Sequence, residues 1–263
     1  MPARLGSSHL DPDQSLRQQL DGWLAQLGEL RCPCTNEVLP VVSANLKPPF
    51  ELWTIAPKYS GCLQCRLEKL GIPPDEARAS FDGFTVNPPA LLEHLKQCRA
   101  FAAAPKGVLL LLGNTGTGKT HLGIAILREQ LRRGVFGLRF VKHRHFLAAH
   151  RLAMRPVAFG EQAPESPLAR CQEASLLVYD EVTGATDGPA GEDVLLDLFE
   201  QRIGNLKPSV ITANVSPGEL EAALGSRLYD RLRRATFAVL EFGFESKRKA
   251  LNANYLSRAS QGV

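Results

Sequence analysis

Nowhere does the 263-residue chain approach the roughly 18 consecutive apolar residues of a membrane-spanning helix, so no membrane span is expected. The segment Met1 to Gln14 lacks a basic stretch followed by an apolar one, so it does not read as a secretory signal. Internal repeats, heptads and low-complexity tracts are missing too, which sets aside solenoids and coiled coils. Neither sign of charge dominates: 31 Lys and Arg against 27 Asp and Glu leave +4, which permits nucleic-acid contact without demanding it. Six cysteines without a signal point to a reducing compartment, where thiols bind metals or fill cores. The cytoplasm is the expected setting. What is plentiful is ordinary core material: 44% hydrophobic and 22% charged residues describe a globular chain of one large domain or two.

The most informative run is Gly113-Asn114-Thr115-Gly116-Thr117-Gly118-Lys119-Thr120, a complete G-x-x-x-x-G-K-[ST] pattern. It follows the apolar run Val108 to Leu112 and precedes a helical pattern from His121 to Arg133. A phosphate-binding loop needs strand, tight loop and helix N-terminus in that order. Glycines let successive N–H groups curl around phosphate oxygens, and the helix dipole adds partial positive charge. Lys119 is expected to reach the β- and γ-phosphates, and the Thr120 hydroxyl to hold Mg²⁺. The competing reading, a glycine-rich turn, leaves the flanks unexplained. ATP and Mg²⁺ are therefore the expected cofactors.

Around this loop the chain divides into three stretches. Residues 1–14 are polar, with Pro2 and Pro12, and read as a disordered N-terminus. Residues 15–75 begin with Leu16, Leu20, Trp23, Leu24 and Leu27 at helical spacing, which predicts an amphipathic helix over about 15–28, and continue into a proline-rich stretch closed by Pro73-Pro74. Residues 76–263 include a helix from Ala90 to Ala104 and then alternate. Apolar runs at 108–112, 138–141, 176–179, 209–213 and 237–240 are separated by helical patterns at 119–133, 145–154, 191–204 and 217–233. Such alternation predicts an α/β fold, a parallel sheet flanked by helices. Residues 155–170, with three prolines and few apolar positions, read as a loop.

Leu176-Leu177-Val178-Tyr179-Asp180-Glu181 is a buried-strand run ending in two carboxylates. An Asp at this strand end supports Mg²⁺ in a phosphate-loop enzyme. Strand side chains alternate, so Glu181 points elsewhere and can polarise an attacking water as general base. The pair favours hydrolysis over passive nucleotide binding. The next run, Ser209 to Ala213, leads to Asn214, whose amide is placed to orient that water or contact the γ-phosphate, or simply to make a turn. Ser226 to Arg234 is strongly basic, and its arginines are candidates for a finger that neutralises transition-state charge, or for a solvated helix face. Residues 139–151, with Arg139, Lys142, His143, Arg144, His145, His150 and Arg151, form a second basic stretch, either DNA-facing or solvated. Phe140 and Phe146 within it are expected in the core.

Cys32-Pro33-Cys34 and Cys62-Leu63-Gln64-Cys65 bracket a short segment, and two close pairs can ligate Zn²⁺ tetrahedrally. The second pair has the usual C-x-x-C spacing and the first is one residue short. A proline-rich stretch with little apolar core would draw stability from such a metal; the alternative is a set of buried thiols. Cys98 and Cys171 stand alone and are expected to pack.

Taken in order, Gly-Lys-Thr-His-Leu, Val-Tyr-Asp-Glu, Thr-Ala-Asn and Gly-Ser-Arg-Leu-Tyr-Asp-Arg-Leu resemble the AAA+ ATPases of the DnaC/IstB group, from about Phe81 to Arg248. The resemblance implies that Thr120 and Asp180 serve Mg²⁺, that Glu181 serves the water, and that Asn214 is sensor 1. It implies that Phe81-Asp82-Gly83-Phe84 flanks the adenine, with Phe84 and His121 among the nucleotide-contacting residues. Arg231, with Arg227 second, would be the finger acting on ATP in a neighbouring subunit. Ser246-Lys247-Arg248 is similar to the closing Ser-x-Arg of the group, with Lys247 where an aromatic is often found. Members oligomerise on ATP and bind single-stranded DNA. One branch loads a hexameric DnaB-type replicative helicase, and relatives from phages and related elements carry a cysteine-rich N-terminal module. The IstB branch binds duplex DNA and assists a transposase. Helicase loading is the expected function, and transposition the alternative.

Overall fold

The computed structural model describes residues 62–156, 166–182 and 188–243. The helix expected over 15–28, the pair Cys32 and Cys34, and the Ser246–Arg248 motif lie outside the described residues. Among the described residues, five strands form one parallel sheet in the order β2-β3-β4-β1-β5. They are β1 (Val108–Gly113), β2 (Leu138–Lys142), β3 (Leu176–Val182), β4 (Ser209–Ala213) and β5 (Thr236–Phe242). Every residue of β1 and β4 is buried, as expected of central strands covered on both faces.

Alternation along β1 assigns its side chains to two separate cores. Leu109 and Leu111 pack with α1 (Leu63–Glu68), α2 (Leu91–Ala103) and α3 (Lys119–Arg132). Val108, Leu110 and Leu112 face the other layer: α4 (His143–Ala153), α5 (Pro167–Glu173), α6 (Gly188–Gly204), α7 (Leu220–Leu224) and α8 (Ser226–Ala235). Phe140 and Phe146 are both buried, as the periodicity requires. Leu67 and Ile72, grouped by sequence with the cysteine module, lie in the α3 core with Ala77.

Two elements differ from expectation. The stretch 155–170 is not loop to its end, because α5 starts at Pro167. Ser166 caps it, its hydroxyl accepting from the Ala169 N–H, and proline at the first helical position needs no donor. The helical pattern over 217–233 is a 3₁₀ turn and two helices, parted at Gly225, whose φ of 78° lies in the left-handed region.

One buried cation joins the α5 end to the sheet. Arg202 of α6 is fully buried, and its guanidinium donates to the carbonyls of Cys171, Ala174 and Pro208 and to Ser209 Oγ. Burial pulls its pKa down to about 10.

Candidate nucleotide site

Because the strands are parallel and β3, β4 and β1 are neighbours, their carboxyl ends share one edge of the sheet. That edge carries the loop after β1, Asp180 and Glu181 on β3, and Asn214 directly after β4. In open α/β sheets this is where ligands bind.

The loop 113–118 is shaped by positive φ at Gly113, Gly116 and Gly118, 120°, 78° and 105° respectively. At Gly113 a Cβ would run into the backbone of Phe242 on β5, and at Gly118 it would lie 2.6 Å from Phe84 Cε2. Gly118 leads straight into α3, so the loop delivers the N–H groups of a helix N-terminus to the same place. Lys119 is nearly buried, and its Nζ donates to the carbonyls of Gly113 at 2.8 Å and Asn114 at 2.6 Å. Thr117 Oγ1 closes the turn by donating to Asn114 O.

Thr120 and Asp180, 60 residues apart, meet: Thr120 Oγ1 donates to Asp180 Oδ1 at 2.9 Å. Thr212 of β4 donates to the same oxygen at 2.7 Å. Asp180 is fully buried, and among the described residues its Oδ2 has no hydrogen-bond partner. Burial raises its pKa, and the two hydroxyl donors offset only part of that rise. A buried carboxylate oxygen without a donor, beside a threonine hydroxyl at a phosphate loop, is a donor set suited to Mg²⁺. Glu181 is exposed and sits at φ 58°, where the β3–β4 register slips between Tyr179 and Val182. Its N–H donates to Thr212 Oγ1. Sequence reasoning missed Thr212 because a threonine in a strand is unremarkable until the neighbouring strand is known.

The segment at 77–84 is fastened to α3. His121 Nε2 contacts Ser80 O at 2.8 Å, Arg128 donates to the carbonyls of Ala77 and Ala79, and the Phe84 ring lies 5.4 Å from that of His121. Phe84 and His121 therefore lie together beside the junction of the loop and α3.

Asn214 is exposed, just beyond buried Ala213. Arg227 and Arg231 lie elsewhere, on the exposed face of α8. Arg231 Nε donates to Glu200 Oε1 of α6 at 2.8 Å, and Arg227 lies 3.8 Å from Asp193. They line a cleft of about 290 Å³ with Glu200, Asp230 and Arg234. No hydrogen bond or ion pair among the described residues joins either arginine to the loop of its own chain.

Of the cysteines, Cys62 and Cys65 are half-buried at the start of α1. Cys98 and Cys171 are buried, and burial pushes their thiols up to about 12 and about 11. In the second basic stretch, His143 is buried with Nδ1 3.0 Å from Tyr179 Oη, while Arg144 and His145 are exposed.

A family model described as IstB-like ATP binding protein matches residues 64–253. The replicative helicase loader DnaC of Escherichia coli strain K12 is 25% identical over 189 residues, 71% of this chain and 76% of that one. Among solved structures, DnaI superposes with a TM-score of 0.55 at 21% identity, over 69% of this chain and 99% of that one. A structure of the DnaC helicase loader gives 0.55 at 20% identity, over 64% and 98%. The likeness to these structures fixes the shared fold.

Proposed function

The chain belongs to the family of IstB-like ATP-binding proteins, and from that membership we propose an ATPase that loads a hexameric DnaB-type replicative helicase onto single-stranded DNA. The observation that carries the ATPase reading is the buried Asp180, held by Thr120 and Thr212 through one oxygen with the other unpartnered among the described residues. The replication reading draws on similarity to a helicase loader across most of that protein's length.

In this reading Gly113, Asn114, Thr115, Gly116, Thr117 and Gly118 wrap the phosphates, and Phe84 and His121 frame the nucleotide. Lys119 exchanges its bonds to the loop carbonyls for β- and γ-phosphate oxygens. Thr120 and Asp180 hold Mg²⁺, which supplies charge that offsets the phosphates. Glu181, exposed beside the loop, polarises the water, and Asn214 orients it. Arg231, with Arg227 second, completes the site of a neighbouring subunit in an ATP-dependent homo-oligomer. Its exposure on α8, away from its own loop's contacts, supports action in trans.

Partner choice belongs to residues 15–75, with Zn²⁺ held by Cys32, Cys34, Cys62 and Cys65, and residues 76–263 form the ATPase together with α1, whose Leu67 packs in its core. Among the described residues no helix is long and apolar enough to cross a membrane, and a cytoplasmic setting fits a replication partner.

The test is complex formation with candidate replicative helicases, using the full chain and a chain lacking residues 1–61. That cut retains Leu67 and Ile72, which the α3 core needs. A stoichiometric complex lost on truncation supports a loader whose helicase contact lies in the cysteine module. No complex with the cognate helicase, together with preference for duplex DNA, refutes loading and favours the alternative, an ATPase that binds duplex DNA and assists a transposase.

A further inference from the structure

Resting on the ATPase reading, we infer that Thr212 is a positioning residue which, through one hydroxyl, sets both the oxygen Asp180 offers to Mg²⁺ and the direction of Glu181. A threonine hydroxyl has one proton to donate and lone pairs to accept with. Here the proton goes to Asp180 Oδ1 at 2.7 Å, and a lone pair takes the Glu181 N–H at 2.9 Å. Thr212 is fully buried in β4, opposite Leu111 of β1, so its hydroxyl has no water to turn to.

The consequences fall on two neighbouring residues differently. Asp180 Oδ1 already accepts from Thr120, and with Thr212 it holds two donors, while among the described residues Oδ2 holds none. The carboxylate is thereby kept from rotating, and the oxygen left over is the one available to a cation. Glu181 sits where the ladder slips, between the paired positions Tyr179 and Val182. The hydroxyl accepts its N–H, which stabilises a φ of 58° that a non-glycine residue otherwise avoids. The left-handed turn breaks the strand alternation and leaves Glu181 exposed between buried Asp180 and buried Val182. One side chain on the intervening strand therefore couples the metal-binding carboxylate to the base.

The experiment compares Thr212→Val, which keeps the shape and removes the hydroxyl, with Thr212→Ser, which keeps the hydroxyl. Three readouts are taken: binding of a fluorescent ATP analogue with and without Mg²⁺, kcat and KM for ATP, and hydrogen exchange at the Glu181 amide. In Thr212→Val, the Mg²⁺-dependent gain in affinity should fall about tenfold, the loss of one hydrogen bond to a charged group. Metal-free binding should stay unchanged, kcat should fall with KM little moved, and the Glu181 amide should exchange faster. Thr212→Ser should restore all three. Wild-type behaviour of Thr212→Val overturns the inference, as does equal loss in both variants, which would mean packing alone. Should Thr212→Val fail to fold, Thr212→Ala carries the same expectations. A wild-type chain that binds ATP but never turns it over refutes the ATPase reading, and the exchange and Mg²⁺-binding readouts still judge Thr212 by themselves.

Discussion

The ring of Phe84 lies against the backbone of Gly118, so close that a methyl group there would sit 2.6 Å from Phe84 Cε2. The phosphate loop is therefore closed on one side by a residue from the segment preceding the sheet. Gly118→Ala meets two obstacles, the ring and a φ of 105° that L-residues rarely adopt. ATP affinity should fall at least about tenfold, and stability by about 1–3 kcal/mol. Adding Phe84→Ala removes only the clash, so the double variant should recover affinity in part and remain strained. Titration with a fluorescent nucleotide beside thermal melting measures both; full recovery would show the conformation to be harmless.

Removing the buried cation should act on stability alone. Arg202→Met takes away every donor that Arg202 gives to the carbonyls of Cys171 and Ala174 and to Ser209 Oγ. A loss of about 3 kcal/mol is expected, roughly 6–12 °C in Tm for a domain of this size. Turnover per folded molecule should be unchanged at low temperature, since the acceptors of Arg202, on Cys171, Gln172, Ala174, Pro208 and Ser209, are not nucleotide-site residues. A melt within 2 °C of wild type, roughly 1 kcal/mol, would show that the methionine packs as well as the arginine bonds.

Which parts were legible in the sequence follows from the range of the interactions involved. The phosphate loop is a local device, so Gly113 to Thr120 declare it without help from the rest of the chain. The strands at 108–112, 176–179 and 209–213 are fully covered and read as apolar runs for the same reason. Strand order is a long-range property, and with it Thr212 stayed hidden: only the placement of β4 between β3 and β1 makes its hydroxyl a partner of Asp180. Arg202 was equally invisible, because nothing local distinguishes a buried arginine from a solvated one. The α5 helix did leave a signal in Ser166-Pro167, overshadowed by the polar residues before it. The left-handed turn at Glu181 left none, since glutamate has no preference for it.

The thiols should separate into two reactivity classes. Cys98 and Cys171, buried and pushed up to about 12 and about 11, should resist alkylation in the native protein. Cys62 and Cys65 should react only after a chelator strips the zinc proposed for them, with about one Zn²⁺ per chain found beforehand by elemental analysis. Raised folded-state thiol values also set a sign for pH. The folded protein keeps these protons where the unfolded chain, with thiols near 9.0, releases them. The associated stability is fully present below pH 9 and lost as pH rises toward 11 and 12. Denaturant midpoints between pH 8 and pH 10.5 should fall, and less steeply in Cys98→Ala.

The separation of Arg231 from its own loop makes the strongest demand on the oligomer. If the finger acts in trans, a working site draws Glu181 from the subunit holding ATP and Arg231 from its neighbour. Glu181→Gln should lower turnover by about 10²-fold or more, and Arg231→Ala by about 10³-fold, with ATP binding kept in both. Mixed at equal amounts, the two inactive variants should recover activity. An Arg231→Ala subunit followed by a Glu181→Gln subunit contributes both groups to one site, and random assembly produces about a quarter of such interfaces. Activity near that fraction of wild type confirms a shared site, and Arg227→Ala in place of Arg231→Ala tests the second candidate in the same format. No recovery with either arginine variant would put the guanidinium in the same subunit as the nucleotide. The Arg231–Glu200 contact of 2.8 Å would then have to break within one chain.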